Sequence, residues 1–345
     1  MTRYILLFHL FILLPFSAGA QSDKNHQTML DSLKHLDEIP KMLDDRLIEN
    51  YYKTRYDTNY VDRPHQKWLF RLLLNHTTHN IRANGTVNNI LTDYDLHTKG
   101  NTTISLEVNY CDVSVSLSVN PSKLSGSHDD YEFNFEYHGR RFSFDLNYLR
   151  STTLAGDLTV GDANYLGDDG LRMNIFNLTG YYIFNHRQFS FPAALYQNYY
   201  QRCSAGSFLV GIDFQAGGVT TTDRLKQRNP QIPDLKLRFA NFGIGGGYGY
   251  NWVFGRRSQW LLHLSMMPVI AVFKHNKLSM NDKDVRDRSA CIDMMFNART
   301  SLVYHFTPRY LAGTSLMLNH SSFDNGEINI KQNKLFARAF FGVRL

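Results

Sequence analysis

From Gln66 onward the chain alternates apolar and polar positions with a period of two. In the stretch Tyr131–Leu149, one face collects Tyr131, Phe133, Phe135, Tyr137, Phe142, Phe144, Leu146 and Tyr148. The other face collects Glu132, Asn134, Glu136, His138, Arg141, Ser143, Asp145 and Asn147. The same two-sided pattern returns in Val113–Asn120, in Ser289–His305 and in the C-terminal run Lys334–Leu345, where Leu335, Ala337, Ala339, Phe341, Val343 and Leu345 oppose Phe336, Arg338, Phe340 and Arg344. Strands that are apolar outside and polar inside are what a bilayer-spanning barrel requires, because Arg or Lys on the lipid face costs roughly 2–4 kcal/mol at the midplane. The run that reaches the carboxyl terminus suits a closing barrel strand.

The alternation predicts about 12 strands: Lys67–His79, Asn101–Tyr110, Val113–Asn120, Tyr131–His138, Arg140–Leu149, Arg172–Asn185, Ser207–Gly218, Arg238–Val253, Gln259–His275, Ser289–His305, Arg309–Ser322 and Lys334–Leu345. Most meet the roughly 9–11 residues that an oblique crossing needs. Connections on one side are long and polar, as outer loops are, and those on the other are short, with Gly139, Gly255 and Pro308 as turn residues. The inner connection Asn185–Ser207 breaks the rule. Its sequence, FSFPAALYQNYYQRCSAGS, points to a segment folded into the lumen or lying under the barrel, unless the strand count is wrong there. In Phe239–Phe254, Tyr248, Tyr250 and Trp252 oppose Gly243, Gly245, Gly247 and Gly249, and such glycines make room for an inserted segment. A soluble sandwich or lipocalin-like barrel also alternates, but its strands are shorter and its loops need not alternate in length.

The N-terminal region differs. Arg3, the apolar stretch Ile5–Phe16 and Ala18-Gly19-Ala20 read as a signal peptide over 1–20, cleaved before Gln21. Residues 21–65 carry leucines at helical spacing and predict a short periplasmic extension, broken near Pro40. Residues 66–345 form the barrel. The expected place is the outer membrane of a Gram-negative bacterium, with outer-membrane lipid, lipopolysaccharide and the barrel-assembly machinery as partners.

Composition narrows the picture. Mean hydropathy is −0.35, which a barrel reaches through its polar lumen. Aromatics at 14% suit strands and interfacial girdles. Cys111, Cys203 and Cys291 have no metal-type spacing, and three thiols cannot all pair internally. A net charge of +6, or +5 once Arg3 leaves with the leader, is too modest and too scattered for nucleic-acid binding.

Charged residues on the polar faces are the candidate lumen lining: Glu107, Glu132, Glu136, Asp145, Asp213 and Asp293 against Arg141, Arg172, Arg299, Arg338 and Arg344. The signs nearly balance. That favours an ion-pair network filling the barrel over a selective pore, where one sign dominates. Glu136 and Arg141 are expected to pair across the His138–Gly139 turn. No hydrolase elbow, zinc, Walker or EF-hand motif occurs, so no catalytic residue, metal or cofactor is assigned. His79, Ser127, His128 and Asp129 have no spacing that demands catalysis. Arg224, Lys226, Arg228, Lys283, Arg286 and Arg288 are candidates to meet lipid phosphates.

Two segments carry a family resemblance: YDTNYVDRPHQKW, Tyr56–Trp68, and FSFPAALYQNYYQRCSAGSFLVG, Phe189–Gly211. They resemble a bacterial outer-membrane family of unknown function, the domain of unknown function family 4421, over about Tyr51–Leu345. The resemblance implies a barrel and no activity, and it marks the odd inner connection as a built feature. The functional expectation is a narrow channel, carrier or structural barrel for small or lipid-like molecules. A barrel enzyme acting on envelope lipids, and a binding module docking a partner through its loops or periplasmic segment, stay open as alternatives.

Overall fold

The alternating positions fold into one antiparallel meander in a computed structural model. The structure describes residues 45, 48, 49, 53, 55–87, 90–98, 100–110, 113–121, 131–152, 154–161, 163–166, 170–228, 230, 232, 234–280, 283–286, 293–324 and 328–345. The chain divides into Met1–Arg55 and Tyr56–Leu345. In the first unit, Asp45, Ile48 and Glu49 are helical, and Lys53 pairs with Glu49 one turn back. The expected leader at 1–20 and most of the expected extension at 21–65 lie outside the described residues.

Among the described residues the second unit has twelve wall strands, in line with the roughly twelve that the alternation predicts. They are β1 (Trp68–Val87), β2 (Asn101–Tyr110), β3 (Val113–Val119), β4 (Tyr131–His138), β5 (Phe142–Ser151) and β6 (Leu171–Ile183). There follow β7 (Ala205–Thr221), β8 (Leu235–Phe254), β9 (Trp260–Met280), β10 (Met294–His305), β11 (Tyr310–Asp324) and β12 (Ile328–Arg344). Strand β12 pairs back on β1, from Arg344 opposite Leu69 to Ile328 opposite Gly85. Among the described residues, β3 and β4 are the two ends of this curled sheet. Ion pairs across the interior, Asp145 with Arg299 and Glu136 with Arg338, bring opposite walls together.

The outward face is apolar at mid-height, with Leu72, Leu106, Leu117, Phe135, Ile212, Ile244 and Ile270 exposed. Aromatic side chains mark both edges of this band. Trp68 packs on Tyr110 and Trp260 on Tyr304 at the inner edge, while Phe176 meets Phe214 at the outer edge. Along β8, Phe242 and Trp252 stand roughly ten positions apart, about 33 Å of strand. At a tilt of about 35–45° that spans close to the ~25 Å height of an outer-membrane apolar band.

The outer connections depart from the sequence reading. The stretch 79–101 is not a polar loop. Strand β1 continues to Val87, and Ile90–Thr98 folds back on its upper half. Leu154–Val160 pairs on that strand, and Ala163–Leu166 on the next edge. Of these pieces, Ile90–Thr98 and Leu154–Val160 are held by apolar side chains that turn inward. Ile81, Ala83, Tyr94, Leu96 and Leu154 join Leu149, Met173, Ile175, Val219, Leu225, Leu237, Phe239 and Ile330 in one buried cluster. Above the membrane band, then, the polarity of the two faces is inverted. The inside is a protein core and the outside faces water, as in a soluble sheet.

Candidate functional site

The inner connection decides what the lumen is. Phe184–Ser204 turns upward into the inner mouth of the barrel. Phe189, Phe191, Ala193 and Ala194 are fully buried there, and Pro192–Tyr196 forms a single π-helical turn. It ends at Gln197, which adopts a left-handed backbone with φ 60°. Tyr200–Gln201 then pairs with Val61–Asp62 in a two-residue ladder. The apolar side of this plug packs on Leu69, Leu73, Leu261, Val303, Leu311 and Phe340 of the wall. Glycine makes space for it. A Cβ on Gly249 would lie 3.0 Å from the Phe189 ring.

The plug's polar backbone is held by wall side chains. Arg71 donates to the Leu195 carbonyl at 3.2 Å and to the Gln197 side-chain oxygen at 2.5 Å. Arg344 donates to the Gln197 carbonyl at 2.7 Å and to the Tyr200 hydroxyl. Ser301 donates to the Ala194 carbonyl at 2.8 Å, and Asn251 to the Ser190 carbonyl at 3.0 Å. His263 in turn fixes Asn251 at 2.7 Å. Burial pushes the Tyr200 hydroxyl above its ordinary pKa, so it stays a neutral acceptor for Arg344.

Above the plug lies a hydrogen-bonding layer. Arg71 and Glu107 pair at 2.5 Å, both buried. Arg338 reaches Glu136 at 3.4 Å and Asn75 at 2.9 Å. Arg299 pairs with Asp145, which also faces His138 at 3.6 Å. Asp213 accepts from Thr179 at 2.8 Å and from Asn297 at 2.9 Å. Lys274 pairs with Asp293 at 3.2 Å. One level higher, carboxamides stand side by side on five successive strands: Asn134, Asn147, Asn177, Gln215 and Asn241. Gln215 bridges the interior to Gln332 at 2.9 Å. The layer encloses a cavity of about 40 Å³, lined by Asn147, Asn177, Gln215, Asn297 and Gln332 among others. That is space for two or three waters at roughly 10–15 Å³ each. The amide of Asn241 and the hydroxyl of Ser321, both buried, meet no protein partner among the described residues.

The structure thus brings Glu107, Glu136, Asp145, Asp213, Asp293, Arg299 and Arg338 into the interior, and Arg344 beneath the plug. Two expectations are corrected. Arg172 lies on the outward face, because it sits above the level where the faces exchange polarity, with Leu171 and Met173 buried on either side of it. Arg141 is exposed at the inner turn, one residue before β5 begins, and Glu136 pairs with Arg338 in its place. The side chain of Glu132 lies outside those described, as do Ser127, His128 and Asp129, while His79 is buried inside the barrel. Arg71, Asn251, His263 and Gln197 escaped the sequence reading. A signal for Arg71 existed, since it is the lone charge in WLFRLLL and stands opposite Glu107.

No curated protein sequence matches the chain. Among solved structures, it is similar to the outer-membrane protease OmpT of Escherichia coli at 9% identity, covering 82% of this chain and 97% of that one, with a TM-score of 0.43. The translocator domain of the autotransporter NalP of Neisseria meningitidis gives 5% identity, 91% and 98% coverage and a TM-score of 0.33. The toluene transporter TodX of P. putida gives 9%, 82%, 91% and 0.23. None of these values transfers an activity. A family model does cover most of the sequence, and it accounts for both the wall strands and the plug. Over residues 55–345, this chain is a member of the family described as domain of unknown function DUF4421.

Proposed function

We propose that the protein is a plugged barrel of the Gram-negative outer membrane, closed at rest, which holds or passes small polar molecules when the plug moves. In this reading a leader is removed before Gln21, and the barrel-assembly machinery inserts the strands. The observation that carries it is the attachment of the plug. Besides its apolar packing on the wall, Phe184–Ser204 is joined to its surroundings by side-chain hydrogen bonds, a two-residue ladder and a few single backbone bonds, not by a full strand register. Such a segment can leave its seat without unzipping the wall. The layer above it is near charge balance and rich in carboxamides, which suits uncharged hydrogen-bonding solutes and not a lipid chain.

Purified protein in planar bilayers is expected to conduct poorly, and loaded vesicles to swell slowly in small uncharged solutes while excluding charged ones. A large, stable, ion-selective conductance in the unmodified protein would show an open porin and end this reading.

A further inference from the structure

The polarity inversion leaves a second feature on the outside of the barrel. On β5 to β9, two rows of outward-facing positions run side by side just above the aromatic edge. In the lower row, Arg150, Asn174, Gly218, Arg238 and Lys277 are successive cross-strand partners. In the upper row, Arg172, Thr220, Lys236 and Ser279 follow one another in the same way. Across these strands the two rows hold five cations and no carboxylate. The short strand Lys283–Arg286 continues them in register with Arg286 opposite Lys277 and Asp284 opposite Ser279.

Arg150, Arg172, Lys236 and Arg238 are exposed. Arg238 stands directly opposite Lys277, which concentrates positive charge on this face. The small residues Gly218 and Thr220 open a groove of about 670 Å³ between the strands, lined also by Lys236, Arg238, His275 and Lys277. At Gly218 a Cβ would meet the Leu237 carbonyl at 2.4 Å, so the groove floor admits no side chain there.

Height fixes what can reach this groove. Arg172 lies four positions beyond Phe176, Arg238 four beyond Phe242, and Lys277 four beyond Phe273, on the same outward face. Four positions are about 13 Å of strand, or roughly 10 Å of height after tilt. The aromatic residues mark the apolar boundary, so the cations sit at the level of lipid head groups. Guanidinium and ammonium groups at that level meet phosphate through charge-assisted hydrogen bonds.

We infer that this face is a docking site for a phosphorylated lipid of the outer leaflet, with its phosphates between Arg238, Lys236 and Lys277 and its acyl chains against Phe214, Phe242 and Phe273. The site depends on the barrel's orientation in the membrane and not on how the lumen is gated, so either can fail alone.

The test uses the full mature chain in neutral detergent, with binding of bisphosphorylated lipid A measured against its dephosphorylated counterpart. The unmodified protein should prefer the phosphorylated form by about tenfold or more. Lys236→Glu/Arg238→Glu should abolish that preference. Arg256→Glu/Arg257→Glu, at the inner rim, should retain it. Heat-modifiable gel migration reports that each variant is folded, and Lys236→Gln/Arg238→Gln replaces the reversal if that variant does not fold. Equal binding of both lipids, or an unchanged preference in the outer-rim variant, would overturn the site. Inorganic phosphate competing at the same concentration as the lipid would also overturn it, leaving a small-anion site.

Discussion

Replacing Arg71 by alanine removes three contacts at once: the pair with Glu107 at 2.5 Å, the bond to the Leu195 carbonyl at 3.2 Å and the bond to Gln197 at 2.5 Å. The largest effect comes from what remains. Glu107 is 5% exposed, and leaving a buried charge without its partner costs about 3–5 kcal/mol. The two bonds to the plug contribute about 1 kcal/mol each. Against a total stability of about 5–15 kcal/mol, the variant should fold but unfold at clearly lower denaturant. Arg71→Ala/Glu107→Gln removes the stranded charge, so its loss should fall to about 2 kcal/mol. Glu107→Gln alone keeps Arg71 on the plug. Two assays on the same proteins separate the effects. Urea unfolding in vesicles, followed by gel mobility, should rank Arg71→Ala as much weaker than the double variant. Planar-bilayer conductance should rise in both proteins that lack Arg71 and stay low in Glu107→Gln. If Arg71→Ala is folded yet as silent as the unmodified protein, Arg71 does not hold the plug and the gating model fails.

Other outcomes follow from the two faces and the interior. Phe135→Arg should impair insertion by roughly 2–4 kcal/mol, whereas Asn134→Arg, on an exposed inward position, should assemble normally in vesicles. Equal damage would reverse the faces. Glu136→Ala and Arg338→Ala should be non-additive, with the double variant milder than the sum, and additive losses in a double-mutant cycle would mean a solvated pair. Gly249→Ala should cost about 1–3 kcal/mol by crowding Phe189, and Phe189→Ala should relieve part of it. No relief in the unfolding midpoint would place the plug elsewhere.

The wall was legible in the sequence wherever lipid lay outside and polar groups lay inside. Over Lys334–Leu345, and for the described side chains of Tyr131–His138, the period-two reading and the observed faces agree. It blurred where something other than water fills the lumen. In β1, Leu69 and Leu73 point inward because the plug covers them, so both faces look apolar and Arg71 seems an isolated charge. Above Asn177 the alternation persists but its meaning reverses. Met173 and Ile175 turn inward while Arg172 and Asn174 turn outward, and a rule that sends every charge to the lumen misplaces Arg172. The inner connection announced itself by its length, but its polar contacts are with carbonyls, which no side-chain pattern reveals.

In the proposed gating, the same layering favours one end as the one that opens. The outer cap is built from the wall itself. Ile90–Thr98 is laddered to β1 over Asn80–Val87 and to Leu154–Val160 on its other edge. Its apolar side chains interlock with wall residues in one cluster, so lifting it breaks backbone pairing and core packing together. The plug also packs apolar side chains on the wall, but its backbone is tied by a ladder of two residues, a few backbone bonds to Asp57 and Tyr60, and side-chain bonds to its carbonyls. Fewer backbone bonds must break to release it, and local opening follows the cheapest route. Amides of Phe189–Tyr199 should therefore exchange with solvent deuterium before those of Ile90–Thr98 when the protein is held in detergent. Arg71→Ala should speed exchange in the plug and leave the cap unchanged. The opposite order in the unmodified protein would place the gate at the outer end and leave the plug as a fixed floor.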